Sequence, residues 1–137
     1  MPEDYNSKII EEFRANGGML GGSFQGAPVL LLHTRGAKSG AERVNPVMYR
    51  NVHDGRYAVF ATKAGAPTHP DWYYNLLAHP DVQAEIGPAT VPLTARVAED
   101  AEREPIWAAQ KAEYPGFADY ETKTSRKIPV VILEPVS

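Results

Sequence analysis

The sequence predicts a mainly β, α+β domain: a small closed or half-open antiparallel barrel with helices on its outside. Three observations lead there. About six segments have strand character, and most neighbours are joined by short turns, which makes their pairing antiparallel. Strands and helices do not alternate regularly, which argues against a doubly wound fold. The 137 residues are 43% hydrophobic and 23% charged, the size and balance of one domain with a self-sufficient core.

The elements follow in order. Tyr5–Arg14 carries Ile9, Ile10 and Phe13 at helical spacing, and Asn16-Gly17-Gly18 supplies a C-terminal stop. Gly17–Gly26 holds five glycines and reads as a flexible loop, so residues 1–26 form an N-terminal helix-plus-loop region ahead of a barrel at 27–137. Pro28–Thr34, with Val29-Leu30-Leu31-Leu32, is a strand buried on both faces or nearly so. After a glycine turn, Arg43–Arg50 returns as a strand, and Pro46 inside it belongs at an edge or bulge. His53-Asp54-Gly55-Arg56 is a hairpin signal leading to a third strand at Tyr57–Thr62. Pro70 opens a helix with His69 or Thr68 as its cap; Trp72, Leu76 and Leu77 share a face, and Pro80 ends it. Val82–Ile86 and Val91–Val97 pair across Gly87-Pro88. Asp100–Ala112 is a third helix with Ile106 and Trp107 inward, its start blurred by Pro105. Tyr114–Lys127 is a loop or short helix, and Ile128–Leu133 closes the sheet.

Composition narrows the chemistry. With no cysteine, disulfides, thiolate nucleophiles and sulfur-bound metals are excluded, which suits a reducing cytoplasm. The four histidines (His33, His53, His69 and His79) show no i, i+4 pair, so no metal site is expected, and His33 reads as a hydrogen-bonded barrel residue. No apolar run approaches the roughly 20 residues that span a bilayer, and the acidic start MPEDYN does not read as a secretory signal. The apolar face of the first helix is short and flanked by glutamates, which limits membrane association to transient peripheral contact. The net charge of −3 argues against nucleic acid, yet Thr34–Lys63 carries +4 against −7 for the remainder. A basic patch in an acidic chain points to a specific anionic ligand.

Four motifs carry candidate chemistry. The turn Arg35-Gly36-Ala37-Lys38-Ser39-Gly40 is either an anion grip, with cations and free amides, or a solvated hairpin turn. It is not a Walker loop, because Ala37 precedes Lys38. Thr62-Lys63 at a strand end either meets a ring carbonyl or phosphate or is exposed loop. Asp71-Trp72-Tyr73-Tyr74-Asn75 opens a helix, where aromatics either flank a flat ring or enter the core. Tyr114, Phe117 and Tyr120, three residues apart, either wall an apolar substrate pocket, with a phenol as proton donor, or pin a surface loop. There is no Gly-x-Ser-x-Gly elbow, no Gly-x-Gly-x-x-Gly after a strand, and no evident carboxylate pair. A binding site without a protein nucleophile fits a cofactor enzyme.

The strings TRGAKSGAERVNPVMY, ATKAGAPTHPDWYYNLLAHPDV and YPGFADYETKTSRKIPVVILEP, in that order, resemble the deazaflavin-dependent nitroreductase family of actinobacteria, split-barrel oxidoreductases that use coenzyme F420. The resemblance implies a six-stranded, largely antiparallel split β-barrel with flanking helices and reduced F420 (F420H2) as hydride donor. By motif it places Ala37, Lys38 and Ser39 with Arg43, Val44, Asn45 and Pro46 toward the phosphate end. It places Phe60, Ala61, Thr62 and Lys63 beside the ring, and Asp71, Trp72, Tyr73, Tyr74, Asn75 and Phe117 around the cleft. Where some members carry a tyrosine this chain has Phe117, which leaves Tyr120, Tyr114 or water as the proton donor. The implied acceptor is a quinone, enone or nitroaromatic, and the implied assembly a monomer or homodimer. A flavin mononucleotide split-barrel oxidoreductase and a non-enzymatic carrier of deazaflavin or tetrapyrrole are the rival readings.

Overall fold

The computed structural model describes residues 2–18, 28–52, 55–62 and 69–136. Six strands close a barrel in the order β1-β2-β3-β6-β5-β4, and every pairing is antiparallel. The strands are β1 (Val29–Arg35), β2 (Glu42–Asn51), β3 (Tyr57–Phe60), β4 (Asp81–Ile86), β5 (Ala89–Val97) and β6 (Val130–Pro135). The helices are α1 (Pro2–Ala15), α2 (Asp71–Ala78), α3 (Asp100–Glu113) and α4 (Gly116–Thr122). Tyr114–Lys127, expected as loop or short helix, contains α4 over half its length.

Alternation along the strands sorts the apolar residues into two cores. Leu30, Leu32, Val59, Leu93, Val131 and Leu133 point into the barrel, and Trp72 and Leu76 of α2 join them. Phe60, Val130 and Ile132 point outward and are covered by Trp107 of α3 and Phe117 of α4. This explains the unbroken apolar runs: Val29–Leu32 and Val130–Leu133 are buried at every position because both faces are covered.

The helices needed correction. Leu77 does not share the buried face of α2. It is 55% exposed, and Asn75 is buried with Trp72 and Leu76 instead. The cap of α2 is Pro70 itself rather than His69, since the Tyr73 N–H donates to the Pro70 carbonyl at 3.0 Å. Proline suits that place: its fixed φ is compatible with the extended cap conformation. Thr68, the other expected cap, lies outside the described residues, as does most of the glycine-rich loop at 19–27. Helix α3 begins at Asp100 and continues through Pro105. Pro105 and Ala101 are both exposed, so the carbonyl that loses its helical partner faces water.

Helix α1 packs on the barrel. Ile9 and Phe13 are buried, and the Arg14 guanidinium reaches Glu85 of β4 at 2.6 and 3.0 Å. The residues expected to offer a membrane-facing surface therefore include two that are turned into the protein. At the end of α1, Gly18 has φ +97, and a Cβ there would meet the Gly87 Cα at 2.7 Å. Glycine is required on both counts. No described helix is long and apolar enough to cross a membrane.

Candidate functional site

The site grows from a gap between two strands. Strand β2 pairs with β1 along Val29–Arg35, but with β3 only at Tyr49–Asn51. The Tyr49 N–H donates to the Pro28 carbonyl of the β1 side at 3.0 Å. Backbone direction alternates along a strand, so Val44, Pro46 and Met48 turn their backbone groups toward the β3 side. Among the described residues, β3 offers Val44 and Pro46 no ladder partner. Pro46 has no N–H to lose there, which is the edge position its sequence context predicts.

A cleft of about 260 Å³ opens at this gap. Pro46 and Met48 of β2 form one wall, and Phe60 and Thr62 at the end of β3 form the other. Pro70 and Trp72 at the start of α2, and Phe117 and Tyr120 of α4, complete it. The lining is mostly apolar and aromatic, with the Thr62 and Tyr120 hydroxyls as polar groups. Phe117 is 8% exposed and stacks edge-on to Phe60 at 5.6 Å, so it is part of a fixed wall.

The basic turn lies beyond the start of the β2 wall. Pro46 stands three positions after Arg43, about 10 Å along the strand. The turn is closed by Gly36 N–H to the Ala41 carbonyl (2.8 Å) and Gly40 N–H to the Gly36 carbonyl (2.9 Å). Gly40 has φ +70, a conformation that favours glycine. The Ala41 N–H donates to Ser39 Oγ at 3.1 Å, and the Ala37 N–H donates to Asn75 Oδ1 at 3.0 Å. Among the described residues, the consecutive Lys38 and Ser39 amides have no hydrogen-bond partner, and they lie beside the exposed side chains of Arg35, Lys38 and Arg43. Adjacent free amides with cations alongside form an anion-binding concavity.

Asn75 connects turn and cleft. Its Oδ1 accepts from Ala37 while its Nδ2 donates to the buried Thr34 hydroxyl at 3.2 Å. It stands three residues, close to one helical turn, after Trp72. Its amide is engaged with the protein, so it shapes the turn from behind.

Other predicted residues fall in different places. Arg43, Val44 and Asn45 do not line the cleft; Val44 shares a face of β2 with Pro46, and Arg43 and Asn45 share the other face with Val47, which does line it. Ala61 is fully buried. Asp71 is exposed, and Tyr74, 45% exposed, rests against His69 with ring centres 5.8 Å apart. Tyr73 packs against the barrel core, and burial raises its phenol above the ordinary range. Tyr120 lines the cleft, but Tyr114 lines a separate cavity of about 270 Å³ with Arg50 and Glu113. Lys63 lies outside the described residues. His33 is hydrogen-bonded as expected, its ring between Glu42 (3.1 Å) and Glu85 (2.7 Å). A larger hollow of about 490 Å³ lies beside it, lined by Arg35 as well as by Glu42 and Asp81.

Sequence reasoning missed Val47, Met48, Pro70 and Arg126. Period-two spacing from Pro46 could have found Met48, and adjacency to Asp71 could have found Pro70. Arg126 bonds the Ala61 and Thr62 carbonyls at 3.1 and 2.8 Å across more than 60 positions, and no spacing rule announces that.

An antiparallel barrel with a flat apolar cleft at a strand gap and an anion turn near one end defines a ligand-binding barrel of the cofactor-dependent oxidoreductase kind. A profile of the F420H(2)-dependent quinone reductase family matches residues 7–135. The chain belongs to that family. An F420H(2)-dependent quinone reductase of Mycobacterium tuberculosis is 37% identical over 125 residues, covering 88% of this chain and 83% of the relative. The solved structure of an F420-H2 dependent reductase is 45% identical with a TM-score of 0.71, covering 78% of this chain and 94% of that one. A second, described as a domain-swapped dimer, is 39% identical with a TM-score of 0.72, covering 98% and 100%.

Proposed function

We propose that this chain reduces a quinone with F420H2, holding the deazaflavin ring in the cleft at the β2–β3 gap and the phosphate-bearing tail at the Gly36–Ala41 turn. The observation that supports this is the joining of two unlike surfaces by one strand and one helix. A cleft of about 260 Å³ is slightly below the roughly 300–1,000 Å³ of ordinary ligand pockets. It suits a flat ring alone, with a charged tail continuing over the surface toward the cations. The donor set fits the group: apolar walls for the ring, and two free amides with Lys38 and Arg43 for the anion.

When bound, the reduced deazaflavin supplies a hydride to an electron-poor acceptor. The chain contributes binding, orientation and a proton. Lys38 and Arg43 neutralise the anion, and the Lys38 and Ser39 amides give it direction. Val44 presents its edge N–H and carbonyl to the cleft side, a pattern that can fix the rim of a polar ring. Pro46, Met48 and Trp72 exclude water along the ring. Phe117 has no proton to give, and Tyr114 lines another cavity, so the Tyr120 hydroxyl is the proton donor to the reduced acceptor. Flat enones and nitroaromatics fit the same slot as a quinone. A homodimer is the assembly that the domain-swapped relative favours, and light scattering in solution reads it.

The test is anaerobic mixing of the protein with F420H2 and menadione, following deazaflavin oxidation. Turnover above the enzyme-free rate supports the proposal. Tight F420 binding with no oxidation, across several quinones, would replace the enzyme with a carrier.

A further inference from the structure

Arg126 stands in the irregular stretch between α4 and β6 and is half-buried. Its Nη1 donates to the Ala61 carbonyl at 3.1 Å and to His69 Nδ1 at 2.9 Å, and its Nη2 donates to the Thr62 carbonyl at 2.8 Å. Ala61 and Thr62 follow β3, and His69 immediately precedes Pro70, the cap of α2. One guanidinium therefore ties the end of one cleft wall to the start of another. Thr62 and Pro70, both cleft residues, are each bonded to it directly or lie next to a residue that is.

The geometry suits arginine and no other side chain. Bonds to the Ala61 and Thr62 carbonyls and to His69 leave from both Nη nitrogens of one planar, charged fork, a pattern that a lysine ammonium cannot hold. The His69 end is matched to it. Burial first, and the Arg126 charge second, lower the pKa of His69, so its Nδ1 keeps the lone pair that accepts the bond. The His69 ring then passes the constraint to α2, lying 4.7 Å from the Tyr73 ring and 5.8 Å from that of Tyr74.

We propose that Arg126 is a positioning residue of the cofactor cleft, setting the separation between Thr62 and the Pro70–Trp72 end of α2. The role rests on the ring occupying this cleft, as proposed above. Arg126 acts through the backbone it holds. Losing it widens the slot, which weakens cofactor binding and slows hydride transfer but leaves quinone affinity nearly unchanged.

The experiment compares Arg126→Lys with Arg103→Lys. Arg103 makes a similar clamp, Nε and Nη2 to the Ile128 carbonyl at 3.1 and 2.9 Å, but on α3 and outside the cleft. Both variants should lose thermal stability. R126K should raise the dissociation constant for oxidised F420 severalfold, because the ring then has to order the two walls that the guanidinium otherwise holds. It should also lower kcat, leave KM for menadione unchanged, and speed amide exchange at Thr62 and Tyr73 but not at Leu30–Leu32. R103K should lose stability and keep F420 affinity. His69→Phe, which keeps a ring but removes the acceptor, should shift F420 binding in the same direction and guards against a misfolded R126K. Unchanged F420 affinity and kcat in both R126K and H69F would overturn the proposal, even if local exchange rises. An equal loss of F420 affinity in R103K would overturn it too, since the effect would then be general destabilisation. If the wild-type chain binds no F420, the proposed function fails first, and exchange at Thr62 and Tyr73 alone decides whether Arg126 holds the two walls together.

Discussion

Replacing Asn75 by alanine tests how the turn is held. The side chain is 8% exposed and makes two hydrogen bonds, accepting from the Ala37 N–H at 3.0 Å and donating to the Thr34 hydroxyl at 3.2 Å. Alanine removes both and leaves the Thr34 hydroxyl, itself 2% exposed, without that donor. A buried group deprived of its partner costs about 1–3 kcal/mol. The Ala37 amide is nearer to solvent and finds water, so the total should fall near 2 kcal/mol. For a domain of this length, unfolding entropy near 2.1 cal/mol/K per residue converts that to a Tm loss of about 7 °C. Differential scanning calorimetry measures it. The same variant should weaken F420 binding severalfold, because the Lys38 and Ser39 amides follow directly on the amide that Asn75 holds. A Tm within about 2 °C of wild type would show that the two hydrogen bonds carry little. Full F420 affinity in a destabilised variant would show that the turn keeps its shape without them.

Lys38→Ala should raise the F420 dissociation constant about tenfold or more, the loss expected for one charge-assisted hydrogen bond; unchanged binding in a fluorescence titration removes Lys38 from the site. Tyr120→Phe should lower kcat for menadione with little change in F420 affinity, whereas Tyr114→Phe should leave both near wild type; steady-state kinetics with F420H2 separates the two tyrosines. Glu85 gives a pH dependence of known sign. Its hydrogen bond from Arg14, aided by His33, holds its carboxyl below the ordinary 4.5. A depressed folded-state value means the stabilisation is present above the ordinary carboxylate range and is lost as pH falls through the depressed value. Glu85→Gln should therefore flatten the acid limb of a Tm-against-pH curve and change little above neutrality. An acid limb identical to wild type would show that α1 docking does not depend on this carboxylate.

The sequence by itself determined the number, order and pairing sense of the strands. Period-two burial, glycine turns and short connections are local signals, and nothing in the tertiary structure overrode them. Pro46 could be assigned to an edge for the same reason, since a missing N–H restricts a residue wherever it falls. The basic turn was legible as charge set in an otherwise acidic chain, and the motif strings located most of the cleft: Pro46, Phe60, Thr62, Trp72, Phe117 and Tyr120 do meet there. What only the tertiary structure decided is which of these residues line the cleft and which are engaged with the protein. Asn75 and Tyr120 look equally available in one dimension, yet packing engages the first with Ala37 and Thr34 and opens the second to the cleft. Tyr114 and Tyr120 look alike in the sequence, but Tyr114 caps the end of α3 while Tyr120 lies on α4, and they line different cavities. Arg126 had no sequence signal, because its partners are backbone carbonyls, which every residue possesses. Local chemistry sets the direction of a strand or turn, whereas a contact across 60 positions exists only after the barrel has closed and brought the two chain segments side by side.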